Sequence, residues 1–162
     1  MRIDHLSLSD FRLFDTLSFE CAKHMNVIVG RNGSGKTSVL EAIYYLSRGR
    51  SLRTHLGQHM LRHNTQQLCV HARLMDAQGQ RHDAGIQRPN HGTISMRYDG
   101  ENCNTISVLT TLLPTLLLDT DSHRILASGP KCRRAFLDWG CYYHWTHFPA
   151  LWRDYKRALS QR

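Results

Sequence analysis

Hydrophobic and polar residues near the start of the chain alternate as they do in strands. Leu6 and Leu8 fall on one face of a first strand, and Thr16–Glu20 has the pattern of a second. Two further segments, Met25–Val29 and Thr115–Leu118, are mostly apolar. An uninterrupted apolar run is typical of a strand that is buried on both faces of an α/β sheet. The pattern therefore predicts two strands at the start of the chain, a buried strand at Met25–Val29 and an apolar strand at Thr115–Leu118.

Helical spacing of apolar residues appears in several places. The first helix is predicted at Thr37–Ser47, directly after a glycine-rich loop, and Gly49 supplies a stop signal. Four more helices are predicted at Thr105–Leu113, Asp121–Ala127, Lys131–Tyr143 and Phe148–Arg162. The last helix reaches the final residue without a stop signal, which suggests that the chain is cut from something longer.

The middle of the chain has the pattern of an antiparallel sheet with one exposed face. Apolar and polar residues alternate within 68–75, and a turn-like segment at 77–80 precedes a return strand at 82–88. Another strand is predicted at 93–98 and is turned by Asp99 and Gly100. These strands do not have the spacing of βαβ units.

Composition bounds the class of protein. The 162 residues carry 21 Lys and Arg against 13 Asp and Glu, so the formal charge is +8 and a polyanionic partner is expected. No apolar run approaches the length of about 20 residues that a membrane span requires, and the N-terminus lacks the apolar core of a secretory signal. The five cysteines form no C-x-x-C pair, so we expect reduced thiols in a cytoplasmic protein without a zinc site.

The strongest motif is a phosphate-binding loop. Its residues match the pattern G-x-x-x-x-G-K-[ST] at every fixed position, between a predicted strand and a predicted helix: Gly30, Arg31, Asn32, Gly33, Ser34, Gly35, Lys36 and Thr37. Backbone N–H groups of such a loop converge on phosphate oxygens, and the helix N-terminus adds a partial positive charge. We expect Lys36 to contact the β- and γ-phosphates of a nucleotide and the Thr37 hydroxyl to bind Mg²⁺. A glycine-rich turn without this role is the alternative.

Several segments together resemble the N-terminal part of the bacterial RecF family, which is similar to ABC-type and SMC-type ATPase heads. They read DFRLFDTLSFE, NVIVGRNGSGKTSVLEAIYYLSRGRSLRT, PKCRRAFLDWGCYYH and DYKRALSQR. The resemblance implies an α/β fold, the N-terminal half of a P-loop ATPase head, with a smaller antiparallel sheet and C-terminal helices. We accordingly predict three parts: a P-loop subdomain at 1–66, the sheet of the same lobe at 67–104, and a short strand and helices at 105–162.

The same resemblance implies a function in recombinational DNA repair. It implies ATP and Mg²⁺ as cofactors, and single-stranded DNA, gapped double-stranded DNA and recombination mediator proteins as partners. A member of the family acts at single-strand gaps, where it helps to load the recombinase, and ATP drives dimerisation of its heads. The full-length family is a weak DNA-dependent ATPase located in the cytoplasm.

Residue by residue, the resemblance suggests further contacts. Arg12 follows the first strand in a Phe-Arg motif that approaches the nucleotide phosphates in related heads. Arg50 and Arg53 follow the first helix, where related heads carry an arginine loop near nucleotide or DNA, and Arg53 is the favoured one. Alternatively, Arg12 is a surface arginine and the other two belong to a solvated basic turn.

Two departures from the family pattern limit the chemistry. After the predicted strand at 115–118 the chain reads Asp119-Thr120-Asp121, which keeps the acidic character but lacks the usual proline, so a role for Asp121 is in doubt. No apolar strand ends in an acidic pair, and no signature motif is present. We therefore expect that the chain alone hydrolyses ATP poorly. No residue of it is assigned a catalytic role.

Other clusters admit two interpretations. Lys131, Arg133 and Arg134 on one predicted helix could contact DNA phosphates or form a solvated face, and the basic residues at 153–157 pose the same choice. Histidines four residues apart could share a metal, although an incidental surface is the simpler interpretation: His55, His59 and His63. Aromatic residues at 139–152 could stack on bases, but core packing is favoured.

Two rival functions remain open at this point. One is an unrelated P-loop enzyme such as a kinase or a small GTPase. The other is a DNA-binding or partner-docking fragment that does not depend on nucleotide.

Overall fold

The computed structural model describes residues 1–120, 122, 125 and 129–161. The chain divides into two compact units, Met1–Thr115 and Leu116–Arg162. Among the described residues, no helix combines the length and the apolar character that crossing a bilayer would require. The predicted three-part division of the chain at residues 66 and 104 stays a prediction.

The first unit, which is described throughout, is built on one antiparallel sheet with the strand order β2-β1-β3-β4-β5-β6. Its strands are β1 (Arg2–Phe11), β2 (Phe14–Glu20), β3 (Gln67–Met75), β4 (Arg81–Pro89), β5 (Ser95–Tyr98) and β6 (Glu101–Asn102). The antiparallel sheet predicted for the middle of the chain is therefore confirmed. The two N-terminal strands extend it, because β1 pairs with both β2 and β3.

The core lies on one face of this sheet, where the predicted alternation holds. In β3, four alternate side chains are fully buried: Leu68, Val70, Ala72 and Leu74. Helix α1 (Lys36–Arg48) contributes Val39, Ala42 and Leu46 to the same buried cluster. Each fully buried leucine or valine among them stabilises the fold by about 1.5–3 kcal/mol.

Helix α1 ends where its sequence predicts. Gly49 adopts the left-handed conformation with φ 66°, and its N–H donates to the Tyr45 carbonyl at 2.7 Å. A side chain at Gly49 would also lie 2.9 Å from Ile106, in helix α2 (Ile106–Leu112). Ser47 fastens the two helices, because its hydroxyl donates to the Leu113 carbonyl at 2.6 Å.

The prediction that the two apolar segments form strands is wrong. Neither Met25–Val29 nor Thr115–Leu118 is a strand, and the side chains of Met25 and Val29 are 78% and 83% exposed. A strand needs a neighbour to receive its backbone hydrogen bonds. Both sides of β1 are already taken by β2 and β3, and no strand among the described residues pairs with either segment.

The second unit contains two described helices, α3 (Pro130–His144) and α4 (Phe148–Ser160), which confirms both of these predictions. The expectation that their aromatic residues form a core is wrong, because neither helix has a buried residue. The rings instead contact one another along the helices. The ring centres of Trp139 and Tyr143, for example, are 5.4 Å apart. The helix predicted at 121–127 lies mostly outside the described residues, as does Arg162.

Candidate nucleotide site

The phosphate-binding loop occupies Gly30–Thr37 and leads into α1. Gly33 and Gly35 have φ of 83° and 92°, in the left-handed region that favours glycine. Gly35 is also the N-terminal cap of α1, and a Cβ there would lie 2.5 Å from the Phe14 ring. Any side chain at Gly35 would therefore be strained in its backbone and would collide with the start of β2.

Lys36 is folded onto the loop that precedes it. Its Nζ donates to the carbonyls of Gly30 at 2.8 Å and Arg31 at 2.9 Å. The ammonium group is therefore held at the loop rather than extended away from it. In this position it can exchange a carbonyl partner for the oxygen of an anion.

A polar cavity of about 270 Å³ opens at the N-terminus of α1. Its lining brings Arg53, from the turn after α1, together with five predicted residues of the loop: Asn32, Gly33, Gly35, Lys36 and Thr37. Two cationic side chains and the positive end of a helix dipole make this cavity suited to phosphate groups. Arg50 is not part of the lining and points its guanidinium to the Tyr44 hydroxyl at 3.4 Å.

A second cavity of about 460 Å³ adjoins the same loop and is mostly apolar. Its walls include Phe14, Leu17 and Phe19 from β2 and Val27 and Val29 from the unpaired apolar run. An apolar surface therefore lies open beside the loop. It is formed in part by residues of Met25–Val29, the segment that the sequence predicts to be buried.

Arg12 lies in the turn between β1 and β2 and is engaged by α1. Its Nε and Nη2 donate to the two carboxylate oxygens of Glu41 at 2.8 and 2.7 Å, and its Nη1 donates to the His59 carbonyl at 2.5 Å. Such a bidentate pair fixes the orientation of both side chains. All three guanidinium nitrogens therefore have protein partners, and a contact of Arg12 with nucleotide stays a prediction.

Glu41 is 0% exposed and has a third partner, the hydroxyl of Ser51, which donates to Oε1. Burial alone would raise the pKa of the Glu41 carboxyl. The hydrogen bonds from Arg12 and Ser51 and the charges of Arg12 and Arg53 outweigh it, so that this pKa lies below its ordinary value. The site thus contains a buried, ionised carboxylate one turn beyond Thr37.

Sequence reasoning missed the roles of Glu41 and Ser51. The sequence does indicate that Glu41 is unusual, because helical spacing places it on the apolar face of α1. It stands three residues after the buried Ser38 and four before the buried Tyr45. A charge in that position requires a buried partner. Nothing in the local pattern identifies Arg12, which is 29 residues away.

The remaining candidates lie elsewhere. Lys131, Arg133 and Arg134 are exposed on α3, in the second unit. His55, His59 and His63 do not share a helix, since only His59 lies in the short 3₁₀ helix Gly57–Met60. In the described part of the chain, no group of three His, Cys, Asp or Glu side chains is arranged to hold a metal ion.

Solved structures that share this architecture include those of RecF and of SMC ATPases. A structure of the recombination mediator protein RecF with ATP aligns with a TM-score of 0.74 at 23% identity, over 85% of this chain and 38% of that one. Another, concerned with ATP-driven dimerisation and DNA-stimulated activation of SMC ATPases, aligns with a TM-score of 0.71 at 19% identity, over 85% and 98% of the two chains. These likenesses show the fold, which is that of the N-terminal half of an SMC-type ATPase head.

The RecF/RecN/SMC N-terminal domain family matches residues 2–129, and the chain belongs to this family. Curated proteins named DNA replication and repair protein RecF are similar over all 162 residues, with 40% identity in Actinobacillus pleuropneumoniae serotype 5b and 38% in Shewanella denitrificans. The chain covers 45% of each of these relatives, so it spans about half of their length.

Proposed function

We propose that the chain binds ATP at Gly30–Thr37 and forms the N-terminal half of the head of a RecF-type DNA repair ATPase. The observation that carries this proposal is the polar cavity at the start of α1, which gathers Lys36, Thr37 and Arg53. Membership of the family and the relatives named for DNA replication and repair support it. A solved RecF with ATP supports the choice of nucleotide.

The chain's own groups offer contacts for the phosphates of a nucleotide. Gly33 and Gly35 line the cavity, and the N-terminus of α1 adds partial positive charge. Lys36 exchanges its carbonyl contacts for the β- and γ-phosphate oxygens, and Arg53 adds a second cation. Together these groups bind and orient the phosphates.

Mg²⁺ fits the same site through Thr37. The Thr37 side chain is exposed and lines the cavity, so its hydroxyl is available as one oxygen ligand beside those of the phosphates and water. Mg²⁺ prefers such oxygen ligands and usually keeps several waters. When bound, the ion would neutralise phosphate charge. Thr37 would hold it at the same phosphates that Lys36 contacts.

The direct test compares Lys36→Ala with a matched control, Lys23→Ala, which removes an exposed lysine outside this cavity. Isothermal titration with ATP and Mg²⁺ should show binding by the wild type and the control and a loss of at least about tenfold in affinity for Lys36→Ala. Equal affinity in all three proteins would contradict the proposal. Thr37→Ala should reduce the Mg²⁺ dependence of binding, whereas Thr37→Ser should retain it.

We further propose that single-stranded or gapped DNA and recombination mediator proteins are partners in the cytoplasm, and that ATP promotes pairing of two heads. The net charge of +8 and the exposed basic residues on α3 and α4 support the binding of a polyanion. Lys156 also lies 4.2 Å from the centre of the Trp152 ring, so this face presents both charge and an aromatic surface.

Filter binding of gapped DNA with and without ATP separates this proposal from its alternative. An increase in affinity with ATP that Lys36→Ala abolishes would support an ATP-gated head, and sedimentation should then show an ATP-dependent dimer. DNA binding that is the same with and without ATP would favour a nucleotide-independent DNA-binding fragment. The slope of affinity against salt measures how many phosphates are neutralised.

A further inference from the structure

Helix α1 carries a charged residue, Glu41, on its buried face. Glu41 is fully buried, four residues after Thr37, while the neighbouring buried positions on this helix are apolar or small. A hydrophobic residue at this place would avoid the cost of removing a carboxylate from water. The contacts of its oxygens therefore indicate what the carboxylate does.

Those contacts lead from α1 to the turn that carries Arg53. Ser51 donates its hydroxyl hydrogen to Glu41, and this fixes the direction of its lone pairs. The Ser51 oxygen then accepts the backbone N–H of Arg53 at 3.0 Å and that of Thr54 at 3.1 Å. One hydroxyl thus joins the carboxylate to two consecutive peptide groups of the turn.

The other end of the same segment is hydrogen-bonded to the end of β1 and to the turn that follows it. The backbone N–H of Arg12 donates to the Met60 carbonyl at 2.8 Å, and that of Arg62 donates to the Asp10 carbonyl at 2.8 Å. Between these anchors, Arg53 is exposed and lines the phosphate cavity. The position of its backbone is therefore set by Ser51 and not by contacts of its own side chain with the core.

We infer that Glu41 and Ser51 are positioning residues for the proposed ATP site: Glu41 orients the Ser51 hydroxyl, which holds residues 51–54 so that Arg53 faces the phosphates. Arg12 keeps the buried carboxylate ionised and in place. This inference rests on the proposed ATP site and deepens it, because it makes the turn after α1 part of the phosphate-binding apparatus.

The test measures ATP affinity in Ser51→Ala, Ser51→Thr, Arg53→Ala and the double variant Ser51→Ala with Arg53→Ala. Arg53→Ala and Ser51→Ala should each weaken binding about tenfold, the loss expected for one charge-assisted contact. Ser51→Thr keeps the hydroxyl and should restore wild-type affinity. The double variant should bind no more weakly than Arg53→Ala alone, because Ser51 acts only through Arg53.

A second measurement is independent of binding. Amide hydrogen exchange without nucleotide should speed up at residues 53 and 54 in Ser51→Ala, while the amides of α1 keep their protection. A general loss of stability would speed up exchange throughout the unit instead, and it would contradict the inference.

The binding results separate the inference from the proposed function. Additive losses in the double variant, unchanged affinity in Arg53→Ala, or failure of Ser51→Thr to restore binding would each overturn the inference alone, provided that Lys36→Ala still weakens binding as proposed. If the wild type does not bind ATP, or if Lys36→Ala binds as tightly as the wild type, the proposed function and the inference both fall.

Discussion

Two clusters of charged side chains in the first unit differ in how far they are removed from water. In the buried cluster, Glu41 is 0% exposed and is bound by Arg12 and Ser51. In the more exposed cluster, His82 lies 2.7 Å from Asp99 and 3.7 Å from Asp76, and the three side chains are 20%, 42% and 18% exposed. The clusters therefore differ most at their carboxylates, because water reaches those of the second cluster and does not reach Glu41.

The two clusters also hold different parts of the chain. The buried one joins the phosphate-loop helix to the turn of Arg53. The exposed one joins two turns at one end of the sheet, since Asp76 accepts the N–H groups of Gln78 and Gln80 and Asp99 accepts that of Asp83. We expect the first to decide stability and ligand affinity, and the second to make a smaller contribution that depends on pH.

The largest effect is expected from Glu41→Gln. This change leaves the Arg12 guanidinium partly buried without its counter-charge, and breaking a buried pair in this way costs about 3–5 kcal/mol. Urea unfolding followed by circular dichroism measures the loss. The matched control is Glu101→Gln, an exposed change that should alter the free energy of unfolding by less than about 0.5 kcal/mol. Equal stabilities of the two variants would contradict the account of the buried cluster.

Arg12→Lys should have an intermediate effect. Lysine keeps the charge but lacks the planar fork that contacts both Glu41 oxygens, and it also loses the bond to the His59 carbonyl. We expect a decrease in the free energy of unfolding of about 1–3 kcal/mol. In a double-mutant cycle, Arg12→Lys should cost much less in the Glu41→Gln background, and strict additivity would argue against direct coupling.

Acid should weaken the buried cluster through Glu41. Its pKa is lower in the folded state than the ordinary value of 4.5, so the stability that it contributes is complete above that pH and is lost as the pH falls through the folded pKa. The acid limb of a plot of stability against pH should therefore become shallower in Glu41→Gln. An unchanged acid limb would show that the carboxylate is not held ionised.

The smallest effect on stability is expected from His82→Gln. The hydrogen bond of His82 with Asp99, together with the charges of Asp99 and Asp76, raises the pKa of this imidazole above 6.5 in spite of partial desolvation. The stability contributed by protonated His82 is therefore complete below pH 6.5 and is lost as the pH rises through the folded pKa. His82→Gln should flatten this alkaline decline in Tm. It should also make the acid limb slightly shallower, because the hydrogen bond from His82 is the main cause that lowers the pKa of Asp99. An alkaline decline as steep as in the wild type would assign it to another group.

Local features of the fold could be predicted from the sequence. The bounds of α1 and its stop at Gly49 follow from helical spacing and from one glycine, and the strands β3 and β4 follow from alternation and a turn. The strand predicted at Met25–Val29 failed because pairing is not local: a strand forms only where another strand offers hydrogen bonds.

The candidate site also has one part that could be predicted from the sequence and one part that could not. The phosphate-binding loop is contiguous, and its motif identifies Gly30–Thr37 directly. The link between Arg12 and Glu41 spans 29 residues, and it becomes visible only when β1 and α1 pack together. Ser51 carries no signal of its own, because a serine after a helix is common and its importance lies in the two amides that it accepts.

Whether ATP binds at the phosphate-binding loop is measured by following backbone amide signals in nuclear magnetic resonance spectra during titration with ATP and Mg²⁺. We expect the largest shifts at residues 30–37, further shifts at 51–54, and none comparable on the helix that carries Lys131. Shifts confined to other surfaces, or no shifts at saturating ATP, would contradict the proposed binding site.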